Sequence, residues 1–226
     1  MRRRLTLLAA TAAAAVAGIA AATPALASVS APTAPAAPAA PAARAATAAP
    51  SDTTVSVSYP VTGSTFIKAI NSTIDLGPGS LATTADLTTS TLTGTLTLPP
   101  ATGSFKELGL VPVTATTEMI QDGTATGTVN FTTNAVTTTA TDTVKLTSLK
   151  VAGLPIPVGP SCETSPATIT VSSQAGFNVL NGGTLSGTYT IPAFAHCGLA
   201  TLLINLTLPG PGNTISLTLG KGTLGS

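Results

Sequence analysis

Few side chains in this 226-residue sequence can do nucleophilic or acid–base chemistry, and they stand far apart. The chain has one histidine, His196, which any serine or cysteine nucleophile would need as its general base. The Gly-x-Ser-x-Gly turn that presents the nucleophile in many hydrolases does not occur. We therefore predict no catalytic residue, and we rank a hydrolase that uses His196 third among the functional hypotheses.

Carboxylate and metal chemistry have no local support either. The acidic residues are scattered singly along the chain: Asp52, Asp75, Asp86, Glu107, Glu118, Asp122, Asp142 and Glu163. A pair of carboxylates brought together by the fold, as in glycosidases, stays open. Zinc takes three or four ligands, more than the region around His196 offers, and phosphate-loop, dinucleotide and calcium-loop motifs are missing. We predict no metal and no cofactor.

The two cysteines, Cys162 and Cys197, fit a structural role better than a redox one. Disulfides persist in the oxidising compartments that exported proteins reach. We predict one intramolecular bond, which would close a loop of about 35 residues and stabilise the fold by about 3 to 4 kcal/mol.

The first 27 residues have the three parts of a secretory signal peptide. Arginines at positions 2–4 precede an uncharged apolar stretch, residues 5–22, and the small-x-small motif Ala25-Leu26-Ala27 follows. We predict cleavage after Ala27 and a secreted protein, free or held at the cell wall; a retained membrane anchor is the alternative. Residues 28–52, rich in Ala, Pro and Thr, are predicted to be a disordered linker.

Loss of the leader would change the net charge from +1 to −2, because six basic residues would remain against eight acidic ones. A chain without basic clusters lacks the positive surface that nucleic acids require. No later apolar stretch approaches the twenty residues of a membrane span. We therefore exclude nucleic acid and an integral span in the mature chain, expect an unidentified protein or envelope component as partner, and predict no particular oligomeric state.

Beyond the linker, the hydrophobic pattern has a period of two. Leucine alternates with threonine in 91–98 and in 214–219, and similar alternation occurs in 54–59, 127–132, 167–172 and 202–208. One apolar and one hydroxylated face are typical of antiparallel sheets, and Gly- and Pro-rich turns recur at about ten-residue intervals. We predict an antiparallel β-sandwich over 53–226, no helix of ordinary length, and a β-bulge near Ser148, where the alternation changes phase.

Two segments of this domain match each other. Residues 91–100, TLTGTLTLPP, align with 184–193, TLSGTYTIPA, with every apolar residue on the same face. Either Thr-rich strands converged, or two halves, 53–142 and 143–226, arose by duplication; one continuous domain is favoured because each half is small for a core of its own. Gly94 and Gly187, inside these strands, predict close approaches of neighbouring chain.

A resemblance covers most of the chain. Residues 151–159, VAGLPIPVG, lead to Cys162, and 194–198, FAHCG, follow the second repeat strand. With the leader, the spacer and the Thr-alternating strands, the sequence resembles secreted proteins of actinobacteria whose function is uncharacterised. This resemblance implies an extracellular location and brings no active-site residues.

These observations favour a non-enzymatic β-sandwich that acts as a structural or interaction module at the cell envelope or outside the cell. The second hypothesis is a carrier of an apolar small molecule or lipid in a cleft between the sheets. A remaining cavity of a few hundred Å³ would favour the carrier, whereas an interior filled by side chains would exclude it.

Overall fold

The computed structural model describes residues 53–107 and 109–225, without the side chain of Glu107. The predicted signal peptide, 1–27, and the predicted linker, 28–52, lie outside these ranges. Within the described ranges the strands are β1 (Thr54–Ile67), β2 (Ser72–Asp86), β3 (Thr91–Thr97), β4 (Ala101–Glu107), β5 (Val111–Gln121), β6 (Ala125–Asn130), β7 (Ala135–Val151), β8 (Leu154–Ile156), β9 (Glu163–Thr164), β10 (Ala167–Ser173), β11 (Gly183–Ile191), β12 (Phe194–Ala195), β13 (Gly210–Leu219) and β14 (Thr223–Leu224). A 3₁₀ turn, Lys68–Ile70, and one α-helix, α1 (Ala200–Thr207), complete the described elements.

Eight of these strands form a closed barrel. Their order is β1, β2, β3, β6, β7, β10, β11, β13, and β13 pairs back with β1. Every pairing is antiparallel, and neighbours in the ring follow each other along the chain, as in up-and-down barrels.

The predicted antiparallel all-β fold is thus confirmed, but the predicted sandwich is corrected to a barrel. The two architectures differ in whether the sheet closes on itself. Alternation within one strand gives an inner and an outer face in both cases, and it carries no information about which edge strands meet. The closing pairs here join residues far apart in the sequence, such as Val61 with Leu219 and Ala167 with Asp142.

The alternation of threonine with aliphatic residues gives the barrel a solvent-exposed, hydroxyl-rich outer face and an apolar interior. On β3 the threonines are exposed, while Leu92 and Leu96 face the interior. Outer hydroxyls pair across neighbouring strands, for example Thr139 with Thr170 at 3.0 Å. Because the side-chain period of a strand is two, this pattern fixes which residues can form the interior.

The second half of β7 leaves the ring and builds an extra layer at one end of the barrel. There it pairs with β5, from Gln121 opposite Asp142 to Val113 opposite Val151. The register shifts at Thr147, which confirms the predicted β-bulge. A second hydrophobic core forms in this layer around Leu146, Phe194 and both cysteines.

The helix α1 overturns the prediction that 202–208 is a strand and that the domain has no helix of ordinary length. Leu202, Leu203 and Ile204 are consecutive apolar residues, so a period of two was only one way to describe the segment. In the helix, Ala200 and Ile204 are four residues apart and are buried on one side. The Asn205 amide binds both the backbone N–H and the carbonyl of Phe194, each at 2.8 Å, and fastens the helix to β12.

The two matching segments form β3 and β11, which lie opposite each other, four places apart in the ring of eight. Within its half of the chain β3 is the third ring strand and β11 the second, and each is followed by an excursion into the extra layer. At Gly187 a Cβ would collide with the Thr170 carbonyl, as predicted, whereas at Gly94 it would meet only ordinary contacts. Duplication and convergence remain the two interpretations.

Candidate ligand-binding cavity

The barrel interior contains a cavity of about 110 Å³. Aliphatic side chains provide most of its wall, among them Val57, Val61, Leu81, Leu96, Leu185 and Leu217. Small residues on the wall, including Ala85, Gly94, Ala125 and Ala140, leave the space that larger side chains would fill. An eight-stranded barrel has an interior that side chains just fill or that holds one small ligand, and this one is incompletely filled.

A loop, residues 174–182, joins β10 to β11 and lies against this cavity; we call it the cover loop. Phe177 and Val179 of this loop line the cavity. The buried Tyr59 hydroxyl donates to the Val179 carbonyl, and the Gly222 N–H donates to the Leu180 carbonyl at 2.9 Å. The loop is therefore held as a cover by a few hydrogen bonds from β1 and from the chain after β13.

The polar side chains on the wall, with one exception, donate hydrogen bonds to backbone carbonyls. Thr83 donates to Val57 at 2.9 Å, and Thr138 donates to Thr126 at 3.2 Å. The Tyr59 hydroxyl is used by the cover loop, and burial raises its pKa. These groups are satisfied within the wall and have little left to offer a ligand.

Gln121 is the most heavily bonded of these polar residues. Its amide oxygen accepts from the Leu96 N–H at 2.7 Å, and its amide nitrogen donates to the carbonyls of Gly94 at 3.0 Å and Gly123 at 2.9 Å. Gln121 therefore joins β3 to the corner between β5 and β6. At this corner β7 changes its pairing partner from β6 to β5.

Asp142 is the exception. It lies on the inward face of β7 with only 5% of its surface exposed, and it is the one charged residue on the described cavity wall. Its carboxylate has no hydrogen-bond partner among the described residues, and the nearby Thr143 hydroxyl donates to Asp122 instead. In the described part of the chain, every side-chain oxygen that is completely buried has a hydrogen-bond partner, so the Asp142 oxygens are not completely buried. The oxygens of Asp142 thus still border space that a water molecule can enter. Burial, and secondarily the charge of Asp122, raise the pKa of Asp142 to about 6.

A second cavity of about 70 Å³ lies in the extra layer. Met119 is the one described side chain that lines both spaces. Methionine is flexible and unbranched, and this side chain forms part of the wall of each cavity. Together they extend from beneath the cover loop to the core that contains the disulfide.

The predicted disulfide between Cys162 and Cys197 is confirmed, with the Cα atoms 4.3 Å apart and both residues fully buried. It lies in the second core, outside the barrel cavity. It ties the loop before β9 to the turn before α1, the helix that the alternation pattern had not predicted.

The structure does not bring His196 to a site. Its side chain is exposed, its backbone is left-handed with φ 58°, and no hydrogen bond within the described ranges involves its imidazole. The fold does place two carboxylates near each other, Asp122 and Asp142, but Asp122 is exposed and accepts from the Thr143 hydroxyl at 2.6 Å. This geometry gives the hydrolase hypothesis no support.

Asp142 was missed by sequence reasoning, although a signal was present. Val136, Thr138, Ala140, Asp142 and Val144 share the inward parity of β7, so a carboxylate stood in an apolar series. A charged residue among the inward-facing apolar positions of a strand indicates either a partner of opposite charge or a bound ligand.

Comparisons with protein-family models, with curated proteins and with solved structures give no match. Within the residues that the structure describes, no helix is long and apolar enough to cross a membrane.

Proposed function

We propose that this protein binds a small apolar molecule inside its barrel and carries it outside the cell. The observation that supports this proposal is the apolar cavity within a closed ring of strands. The cavity is smaller than the few hundred Å³ that the sequence hypothesis required of a carrier, but it is apolar and not filled by side chains, so we rank a carrier of a correspondingly small molecule above the structural or interaction module.

The size of the cavity limits the ligand. Its 110 Å³ is below the few hundred Å³ that a drug-sized ligand needs. An engineered apolar cavity of about 150 Å³ takes up benzene, so a single ring or a short branched chain is the appropriate size. A longer molecule would need Met119 to move and open the second cavity.

Export is part of the proposal and rests on the sequence of residues 1–27. The buried disulfide is compatible with it, because such bonds persist in oxidising compartments. Outside the cell the surroundings are aqueous, and transfer of an apolar molecule from water into an apolar cavity is favourable.

The matched pair Ala85→Ile and Ala82→Ile tests the proposal. Both alanines lie on β2, but Ala85 lines the cavity and Ala82 is exposed on the outer face. We expect toluene to raise the melting temperature of the wild type and of Ala82→Ile, and not that of Ala85→Ile, whose added atoms occupy the cavity. Equal shifts in all three proteins, or none in the wild type, would contradict the proposal.

One observation favours the interaction module as a second candidate function. Four leucines on or beside α1 are exposed to a large extent: Leu199, Leu202, Leu203 and Leu206. Their spacing places them on one side of the helix, and apolar surface of this kind is typical of contact sites. Co-sedimentation with purified cell walls, lost in Leu202→Lys/Leu206→Lys and kept in the exposed-face control Leu224→Lys, would support it.

A further inference from the structure

We propose that the cavity selects a protonated amine carried on a small apolar body, with Asp142 as the counter-ion of the ammonium group. This inference rests on the proposed function, because it presupposes that the cavity takes up a ligand. It goes further by naming the chemical class of that ligand.

The first argument is the state of Asp142 itself. Asp142 as a residue has only 5% of its surface exposed, and an ionised carboxylate in such a position costs free energy unless a cation or hydrogen-bond donors compensate it. Neither is supplied by the described chain: no hydrogen bond reaches this carboxylate, and the remainder of the cavity wall carries no charge.

The second argument is that the neighbours of Asp142 are committed elsewhere. Gln121, directly opposite on β5, uses its amide on Leu96, Gly94 and Gly123. On the other side, its partner on β10 is Ala167, whose side chain has no hydrogen-bond donor. Asp142 lines the cavity, and its carboxylate is the acceptor on that wall that no described side chain uses.

The third argument concerns what such a site can bind. A metal ion is disfavoured, because within residues 53–107 and 109–225 no three His, Cys, Asp or Glu side chains lie together to hold one. An ammonium group needs one counter-ion and donates up to three hydrogen bonds, while the aliphatic wall accommodates the apolar part of the same molecule.

The site also makes binding depend on pH. The groups around Asp142 are Asp122 at the corner after β5, whose charge acts on it, its uncharged cross-strand partners Gln121 and Ala167, and the phenol of Tyr59, which lines the same cavity. With a pKa of about 6, Asp142 is ionised at pH 7.5 and mostly protonated at pH 5. An amine should therefore be held at the higher pH and released at the lower one.

The experiment titrates two probes of similar shape, benzylamine and toluene, into the purified protein by calorimetry at pH 7.5. We expect Asp142→Asn to weaken benzylamine at least tenfold and to leave toluene within twofold. Asp75→Asn, which removes an exposed carboxylate on β2, is the matched control and should change neither affinity.

A pH series on the wild type gives an independent readout that needs no variant. Between pH 7.5 and pH 5 the benzylamine affinity should fall about tenfold, as protonation with a pKa near 6 requires, and toluene should be unaffected. If toluene binds while benzylamine binds no better to the wild type than to Asp142→Asn, the amine site is refuted and the cavity proposal stands. If neither probe binds the wild type, both proposals fail.

Discussion

Gln121 and Asp142 lie directly opposite each other on β5 and β7, and of their two side chains only that of Gln121 has hydrogen-bond partners among the described residues. Gln121 makes three hydrogen bonds, whereas the Asp142 carboxylate makes none within the described residues. Side chains in such a cross-strand pair are close enough to interact. The glutamine therefore belongs to the wall of the barrel, and the aspartate is the polar group left for a ligand.

Asp142→Asn should stabilise the protein relative to the wild type more at neutral pH than in acid. The folded-state pKa of about 6 exceeds the unfolded value of 3.8, so the wild type loses stability as the pH rises from 3.8 to 6 and regains none above it. The free energy of unfolding of the variant minus that of the wild type should thus increase by about 2 kcal/mol between pH 4.5 and 7.5. Urea titrations at these two pH values measure it, and a difference independent of pH would contradict the assignment.

Gln121→Leu should destabilise the barrel by about 2 to 3 kcal/mol, because it leaves the Leu96 N–H and the Gly94 carbonyl without partners. Gln174→Leu is the matched control, since Gln174 is exposed and its side chain donates a hydrogen bond only to the Ser172 carbonyl. Urea unfolding of both variants makes the comparison. Equal effects would show that Gln121 does not join β3 to the corner after β5.

Tyr59→Phe should loosen the cover of the cavity while it keeps the aromatic ring that lines the wall. The variant loses the hydroxyl that donates to Val179, so loop 174–182 should exchange its amide hydrogens faster, and toluene should enter and leave more quickly. Tyr189→Phe is the control, because that hydroxyl bonds to Thr65 at 2.7 Å beside the second cavity. Unchanged exchange in the loop of Tyr59→Phe would show that this hydrogen bond does not hold the cover.

Replacing both cysteines by alanine should lower the free energy of unfolding by about 3 to 4 kcal/mol. Because the disulfide lies in the second core, hydrogen exchange should rise first in α1 and β12 and least in β1 and β13. Exchange that rises equally in all strands would contradict the separation of the two cores.

The sequence predicted the parts of this fold that depend on local pattern. The alternation of leucine and threonine in β3 and β13 fixes their inner and outer faces, and the phase change near Ser148 predicts the bulge at Thr147. Both are properties of a single strand, so a single strand is sufficient to predict them.

What the sequence did not predict depends on contacts between distant segments. Closure of the ring requires Ala167 to pair with Asp142 and Val61 with Leu219, and no local pattern encodes such pairs. The helix α1 forms because the second core buries one side of it and Asn205 binds β12, so tertiary packing decided between helix and strand. Asp142 was identifiable by its parity, but its lack of a partner became visible only once its neighbours were placed.

The most direct test of the account follows side-chain methyl groups by NMR while toluene is added to the protein. The account predicts saturable shifts in the methyl groups of Leu96, Leu185 and Leu217 within the cavity, and unchanged signals from the exposed Leu202 and Leu206 on α1. Shifts confined to α1, or no saturable shift at any methyl group, would contradict the claim that the barrel interior is a binding site.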